Sequence, residues 1–288
     1  MKLAVSSYSY NQYITSNRMD IFSVIEHAAE TGFKGIEFIE FTTAESNNFE
    51  AFCDKVRHKC LETGLEICAY AVGGDFSTKN IHVEVKRLKS QVDVAARLGA
   101  PVMRTDVMNS FPDGIITSKQ CRGHIADGLR DLADYAQSKG VLLTTENHGW
   151  IFGKSEWLEK LMSWVNHNNY RLLADLGNFM HAGREPAVEL SRLVRFVRHV
   201  HIKDFHFKSG SEFFPGKGWF ETCNGDYIRG AIVGHGDAQI QKSLRILNNN
   251  GYNGWLTLEF EGIEDALMAI TAGLTNIQRM LVEQDTSH

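Results

Sequence analysis

Short runs rich in β-branched and aromatic residues alternate along this chain with longer runs of helical period. The short runs predict strands at Lys2–Tyr8, Gly35–Phe38, Leu65–Val72 and Pro101–Thr105. Four more are predicted at Val141–Glu146, Arg171–Asp175, Arg198–Lys203 and Trp255–Phe260. Between them, apolar residues recur every three to four positions. Ile21, Val24, Ile25 and Ala28 mark a helix over Asp20–Thr31, and Phe49–Thr63 and Ile81–Leu98 follow the second and third strands. Ser118–Lys139 follows the fourth, with Ile125, Leu129, Leu132, Ala133 and Ala136 on one face. Helices are also predicted at Ser155–His167, Glu185–Phe196, Ala238–Asn250 and Ile263–Val282.

Several helical runs close on a glycine just before a strand: Thr31-Gly32, Thr63-Gly64, Leu98-Gly99, Lys139-Gly140 and Asn250-Gly251. Glycine there ends a helix in the left-handed conformation and turns the chain back toward the sheet. A repeated helix, glycine, strand cadence is that of βα units, and eight such units in about 250 residues make a (β/α)8 TIM barrel. The competing architecture is an open, doubly wound sheet. It calls for a glycine-rich loop after the first strand, where this chain has Ser6-Ser7-Tyr8-Ser9-Tyr10. The expected fold class is therefore α/β, one barrel domain over residues 1–288 with a long loop after the seventh strand. That loop, Phe205–Asp237, is rich in glycine and carries Phe213, Phe214, Trp219 and Phe220. Long βα loops lie on the catalytic face of a barrel, so it is expected to cover the pocket mouth. Its aromatics would meet ligand or a second subunit of a homo-oligomer.

Composition narrows the partners. With 43% hydrophobic and 23% charged residues, the 288-residue chain is globular rather than disordered. Its formal charge of −5 gives no basic footprint for nucleic acid. The five cysteines are odd in number and form no CxxC pair, which points to unpaired thiols in a reducing compartment. The start of the chain lacks a signal-peptide apolar region, and no run approaches the ~18 apolar residues of a membrane span. A cytoplasmic protein without membrane association is expected.

The chemistry gathers at predicted strand ends. The fifth strand ends in Glu146, the sixth in Asp175 and the eighth in Glu259, while the seventh carries His199, His201 and Lys203. Any one of these alone would be a salt-bridged or hydrogen-bonded group. Delivered at one height by successive strands, three carboxylates would repel one another, and a cation resolves the conflict. Oxygen donors with one imidazole suit Mn²⁺ best, with Mg²⁺, Co²⁺ and Zn²⁺ as alternatives. Alternation places Thr144 with Glu146, Thr257 with Glu259, and His199 and Lys203 with His201. Asp204 and Glu261 rank behind Lys203 and Glu259 for direct contact.

Four runs carry a family resemblance: Glu146-Asn147-His148-Gly149, Asp175-Leu176-Gly177-Asn178, His201-Ile202-Lys203-Asp204, and Gly251-Tyr252-Asn253-Gly254 with Leu258-Glu259. Together with Gly32-Phe33-Lys34-Gly35-Ile36-Glu37, they resemble the xylose-isomerase-like TIM barrels, and within them the sugar phosphate isomerase/epimerase group. The resemblance covers essentially the whole chain. It implies one divalent metal ion on Glu146, Asp175, His201 and Glu259, and a sugar or polyol substrate with Asn178 at a substrate-binding position and His148 in reach of a substrate oxygen. Lys203, Arg104 and Tyr8, from their own places along the strands, complete the candidate substrate contacts. It implies proton transfer beside a carbonyl through an enediolate, with Glu146 and Glu259 as the catalytic carboxylates. An isomerase or epimerase is the leading expectation. A lyase on the same scaffold, such as an inosose-type dehydratase or a carbon–glycosyl cleaving enzyme, is the alternative, followed by a non-catalytic sugar-binding barrel. The family's Gly-Glu-Gly before the last crossover stands here as Gly234-His235-Gly236. Endonuclease IV shares the fold, but its zinc site needs further histidines, and Asn178 occupies one of those positions. For Arg104, an ion pair with Asp106 or Glu37 competes with substrate contact. Tyr8 either lines the pocket or plugs the barrel.

Overall fold

The computed structural model describes residues 1–41, 48–78, 80–108 and 121–285. Eight parallel strands close on themselves: β1 (Lys2–Ser6), β2 (Gly35–Ile39), β3 (Glu66–Val72), β4 (Val102–Thr105), β5 (Leu142–Glu146), β6 (Tyr170–Asp175), β7 (Val197–Ile202) and β8 (Trp255–Leu258). β1 pairs with β8 on one side, Lys2 opposite Trp255, and with β2 on the other, Ala4 opposite Gly35. That closure rules out the open doubly wound sheet.

The crossover helices are α1 (Ile21–Thr31), α2 (Phe49–Thr63), α3 (Ile81–Leu98), α4 (Ala126–Ser138), α5 (Ser155–Val165), α6 (Pro186–Leu193), α7 (Ile240–Asn249) and α8 (Ala266–Asp285). Asp20 caps α1 by accepting from the backbone N–H of Ser23, and Gly32 closes it at φ 104°. Val24, Ile25 and Ala28 then face the barrel and are buried. α4 starts later than the helical period suggests, after a wider-wound turn at Cys121–Ile125; the expected start at Ser118 lies outside the described residues. No helix among the described residues is long and apolar enough to cross a membrane.

Two departures from the sequence reading shape the site. β1 stops at Ser6, whose hydroxyl accepts the N–H of Tyr8 and opens a tight turn over Ser7–Tyr10. Tyr8 thereby leaves the strand and stands at the cavity wall. The second departure is the segment expected as a long loop. It is a three-stranded antiparallel sheet of Asp204–Lys208, Phe220–Glu221 and Tyr227–Ala231, the last in the middle. The chain leaves β7 at Ile202 and is extended again from Asp204, with Phe205 buried near its start and Phe207 exposed toward its end.

The barrel interior carries a polar layer where branched aliphatics are usual. Glu37 of β2, Cys68 of β3, His199 and His201 of β7 and Thr257 of β8 are each fully buried. They touch one another: His199 Nε2 lies 2.8 Å from Thr257 Oγ1, and Cys68 Sγ 3.9 Å from the same oxygen.

Candidate active site

The C-terminal ends of the strands surround a cavity of about 350 Å³. Tyr8, Arg104, Glu146, His148, Lys203, Glu259 and Glu261 line it, with Ile39, Glu40, Ala71 and Gly73 completing the wall. At its floor, one atom each from Glu146, Asp175, His201 and Glu259 lie within 4.8 Å of one another, all four residues buried. The set assigned to the metal is therefore brought together.

Hydrogen bonds aim each of these side chains. Asp175 Oδ1 accepts the N–H groups of Gly177 and Asn178 at 2.7 and 2.9 Å. Asn147 clasps the backbone of Asp175 from the end of β5, donating to its carbonyl and accepting from its N–H. That leaves Asp175 Oδ2 buried and without a hydrogen bond, 3.4 Å from Lys203 Nζ. His201 Nδ1 is also buried without a hydrogen bond, 3.4 Å from Glu259 Oε2, 3.7 Å from Glu146 Oε1 and 3.9 Å from Asp175 Oδ2. Two orphaned polar atoms facing each other among carboxylates would be costly in a sealed polar pocket. Three carboxylates and one imidazole converging there have the donor chemistry of a divalent-cation site, so the residues fit the group the family implies.

The electrostatics are asymmetric. Burial alone would raise every carboxyl here. Arg104 and His201 nevertheless hold Glu146 well below the usual carboxylate range. Lys203 and His201 do the same for Glu259. Asp175, buried and beside both glutamates, is pushed up to about 7. Lys203 is held charged, well above its ordinary value, against its burial by Glu259, Glu261 and Asp175.

The expected substrate residues fall around this floor. Asn178 donates to Glu146 Oε1 at 2.7 Å, so it orients that carboxylate. Arg104 is ion-paired with Glu146 and with Asp106, the latter at 3.2 Å. The alternative pairing with Glu37 does not occur, because Glu37 is engaged by the two histidines of β7. His148 Nδ1 lies 3.3 Å from Asp106 Oδ1, and the nearby carboxylate raises its pKa. Tyr8 stands 5.9 Å from Lys203 Nζ, measured to the ring centre. Glu261, ranked low from sequence, lines the cavity and pairs with Lys203 at 3.4 Å and His181 at 3.8 Å. Asp204 serves the scaffold: its carboxylate accepts the N–H groups of Phe205, Gly234, Gly236 and Ala238. A side chain at Gly236 would meet Asp204 within 2.4 Å. The Gly234-His235-Gly236 run is thus a backbone seat for Asp204.

The expectation that the segment after β7 covers the pocket is corrected. None of the described residues lining the cavity comes from 205–237. Its sheet leans on the loop after β6 instead, where His181 packs edge-on to Phe205 and tilted on Phe220. Phe213 and Phe214 are exposed, the latter against Tyr227. Two buried residues went unassigned from sequence, Asn147 and Glu37 as a partner of His201. Asn147 stands beside Glu146, but its inward clasp depends on the approach of β6. Glu37 shares the parity of an inward residue on β2, and that was the signal available.

The sequence matches the xylose isomerase-like TIM barrel family over residues 25–278. The chain belongs to this family. An inosose dehydratase of Clostridium beijerinckii is 23% identical over 255 residues, covering 82% of this chain and 80% of that enzyme. An inosose dehydratase of Clostridium perfringens is 31% identical over 140 residues, 48% of this chain and 46% of that enzyme, so this match spans about half of each. Among solved structures, a probable 3-DHS dehydratase of Bacillus anthracis superimposes with TM-score 0.76 at 16% identity, covering 96% of this chain and 99% of that one. An L-ribulose 3-epimerase superimposes with TM-score 0.74 at 15% identity, covering 99% and 96%. At that identity the two structures speak to the fold alone.

Proposed function

We propose that this chain is an enzyme that removes a proton beside the carbonyl of a sugar-like keto-polyol, with a divalent cation, Mn²⁺ by preference, on Glu146, Asp175, His201 and Glu259. The observation that carries the reading is the convergence of these four buried donors within 4.8 Å at the barrel mouth. A cation bound there supplies Lewis-acid stabilisation of the charge that develops on the carbonyl oxygen.

The chain's own residues do the rest. A carboxylate at the floor accepts the proton from carbon. Glu146 has both oxygens engaged, Oε2 by Arg104 and Oε1 by Asn178. Glu259 is contacted by Lys203 and His201 through Oε2. Glu259 is therefore the freer base. Lys203 and His148 stand on the cavity wall as charged or hydrogen-bonding groups for substrate oxygens. Glu40 and Glu261 make the same wall acidic, which favours an uncharged polyol over a phosphorylated one.

Epimerisation needs bases on both faces of the carbon, and Glu146 and Glu259 are the pair for it. The unequal engagement of the two glutamates favours the second reading, a dehydration with one base and one acid. In it Glu259 takes the proton, and Lys203 or His148 protonates the departing β-hydroxyl, which leaves as water. The inosose dehydratase relative matched along most of its length supports this outcome. Incubation of Mn²⁺-loaded protein with an inosose in D₂O, followed by proton NMR, tests both. Loss of water with the ketone retained supports dehydration. Deuterium entry with inversion or carbonyl migration supports the epimerase or isomerase reading. No exchange with any keto-polyol at full metal occupancy defeats the proposal.

A further inference from the structure

We infer that Glu37 is the positioning residue of His201, holding its imidazole with the proton on Nε2 so that the Nδ1 lone pair faces Glu146, Asp175 and Glu259. The inference rests on the metal-site reading above and concerns how that site is preorganised. His201 Nε2 lies 2.9 Å from both carboxylate oxygens of Glu37. An ionised carboxylate only accepts, so the ring nitrogen facing it must carry a hydrogen. In the neutral imidazole that a metal requires, the lone pair is then left on the opposite nitrogen. That nitrogen is the buried, hydrogen-bond-free Nδ1 aimed at the acidic floor.

Three further observations single out this pair. Glu37 and His201 are both fully buried, so water does not compete for either. A second histidine steadies the carboxylate: His199 Nε2 lies 3.3 Å from Glu37 Oε2, itself held by Thr257 at 2.8 Å. The barrel also breaks its register at the strands that bear the pair. Between β2 and β3 the shift falls at Ile36/Glu37, and between β6 and β7 the step from Leu172 to Leu173 is matched by a step from Val197 to His199. Such bulges re-aim side chains. A buried carboxylate is expensive to keep where a hydrophobic residue of similar size would pack, which argues that its orientation of the ring is what it contributes. Outer partners of metal-binding histidines act in this way, fixing tautomer and ring direction.

The test compares Glu37→Leu, which removes the acceptor, with Glu37→Gln, which keeps a carbonyl oxygen for the Nε2–H. Mn²⁺ affinity is measured by calorimetry. The His201 tautomer is read from long-range ¹H–¹⁵N spectra of Mg²⁺-loaded protein, assigned by the signal missing in His201→Gln. Mn²⁺ affinity is expected to fall about 10- to 100-fold in Glu37→Leu. Glu37→Gln is expected to lose less than about tenfold and to keep the Nε2–H signature. Wild-type affinity in folded Glu37→Leu, or a wild-type His201 without a proton on Nε2, overturns the inference. Should Glu37→Leu not fold, the wild-type spectrum and the Gln variant decide by the same criteria. If the wild type binds neither Mn²⁺ nor Mg²⁺, the metal reading itself fails. The metal-free spectrum then decides: a bare Nε2 overturns the positioning role, and a protonated one upholds it.

Discussion

Lys203 Nζ lies 2.8 Å from Glu259 Oε2, two buried opposite charges at the mouths of adjacent strands β7 and β8. Asp175 and Glu261 share the same ammonium at 3.4 Å each. One cationic side chain therefore neutralises part of an acidic floor that would otherwise repel itself. Its replacement has two separable consequences. Lys203→Met should lower the stability of metal-free protein by about 3–5 kcal/mol, because a buried carboxylate loses its partner. Mn²⁺ should restore part of that loss, since the cation binds the same carboxylates. Urea unfolding in EDTA and in Mn²⁺ measures both, and equal deficits in the two conditions would contradict the shared-site picture. Turnover should fall roughly 10²–10⁴-fold if Lys203 supplies the proton to the leaving group.

Asp204 gathers four backbone N–H groups from both ends of the segment after β7. Asp204→Ala leaves the Gly234, Gly236 and Ala238 donors without their acceptor. We expect a stability loss of about 1–3 kcal/mol for each donor left buried, less where water reaches the loop. Hydrogen exchange at those three amides should accelerate well before the barrel strands respond. Unchanged protection there would remove the clamp from the account.

The cap of α1 sets a pH-dependent term. The Ser23 N–H and hydroxyl, at 2.8 and 2.7 Å, hold the Asp20 carboxyl below its ordinary value. Its folded pKa is depressed, so its contribution is fully present above the unfolded pKa near 3.8 and is lost as pH falls through the folded value. Asp20→Ala should cost about 0.5–2 kcal/mol at neutral pH. Asp20→Asn keeps an acceptor and should cost less. The difference between wild type and Asn variant should shrink as pH drops below 3.8. A constant difference down to the acid transition would show that the carboxylate charge is not involved.

The barrel was legible because the glycines that close its helices obey one rule. Gly32 and Gly64 sit at φ 104° and 73°, where a side chain would be strained, and each is followed within three residues by a strand. The floor was legible for a related reason. Period-two alternation ties Thr144 to Glu146 and His199 to His201 without any knowledge of neighbours, and all four are buried. What the sequence hid depended on how strands meet. The register shifts beside Glu37 and His199 decide that these two side chains touch, and neither leaves a mark in composition. The sheet of 204–231 was hidden because its strand Phe220–Glu221 is too short to show a period, and its glycines read as loop. Arg104 could be placed at a strand end with Asp106 or Glu37 as its partner; it pairs with Asp106, and its second partner, Glu146, was not foreseen. Its choice of Glu146 over Glu37 follows from the histidines that already occupy Glu37.

The unequal surroundings of Glu146 and Glu259 make a prediction about the base. Glu146 accepts from Arg104 through one oxygen and from Asn178 through the other, so a proton arriving there would displace an existing donor. Glu259 is contacted by Lys203 and His201 through Oε2 and lines the cavity. Glu259→Gln should therefore reduce deuterium exchange at the substrate carbon by about 10²–10⁴-fold, the usual loss on removing a general base. Glu146→Gln should act chiefly on metal retention, with exchange recovering when Mn²⁺ is supplied to full occupancy. Exchange is the right readout because it reports the first proton transfer whether the product is an epimer or a dehydrated ketone. Metal content must be verified for each variant, since both residues belong to the four converging donors. If the two variants lose exchange equally at full occupancy, the site works with two bases, and epimerisation becomes the better reading. If neither loses it, the proton goes elsewhere, and His148, paired with Asp106 at the cavity wall, is the residue to replace next.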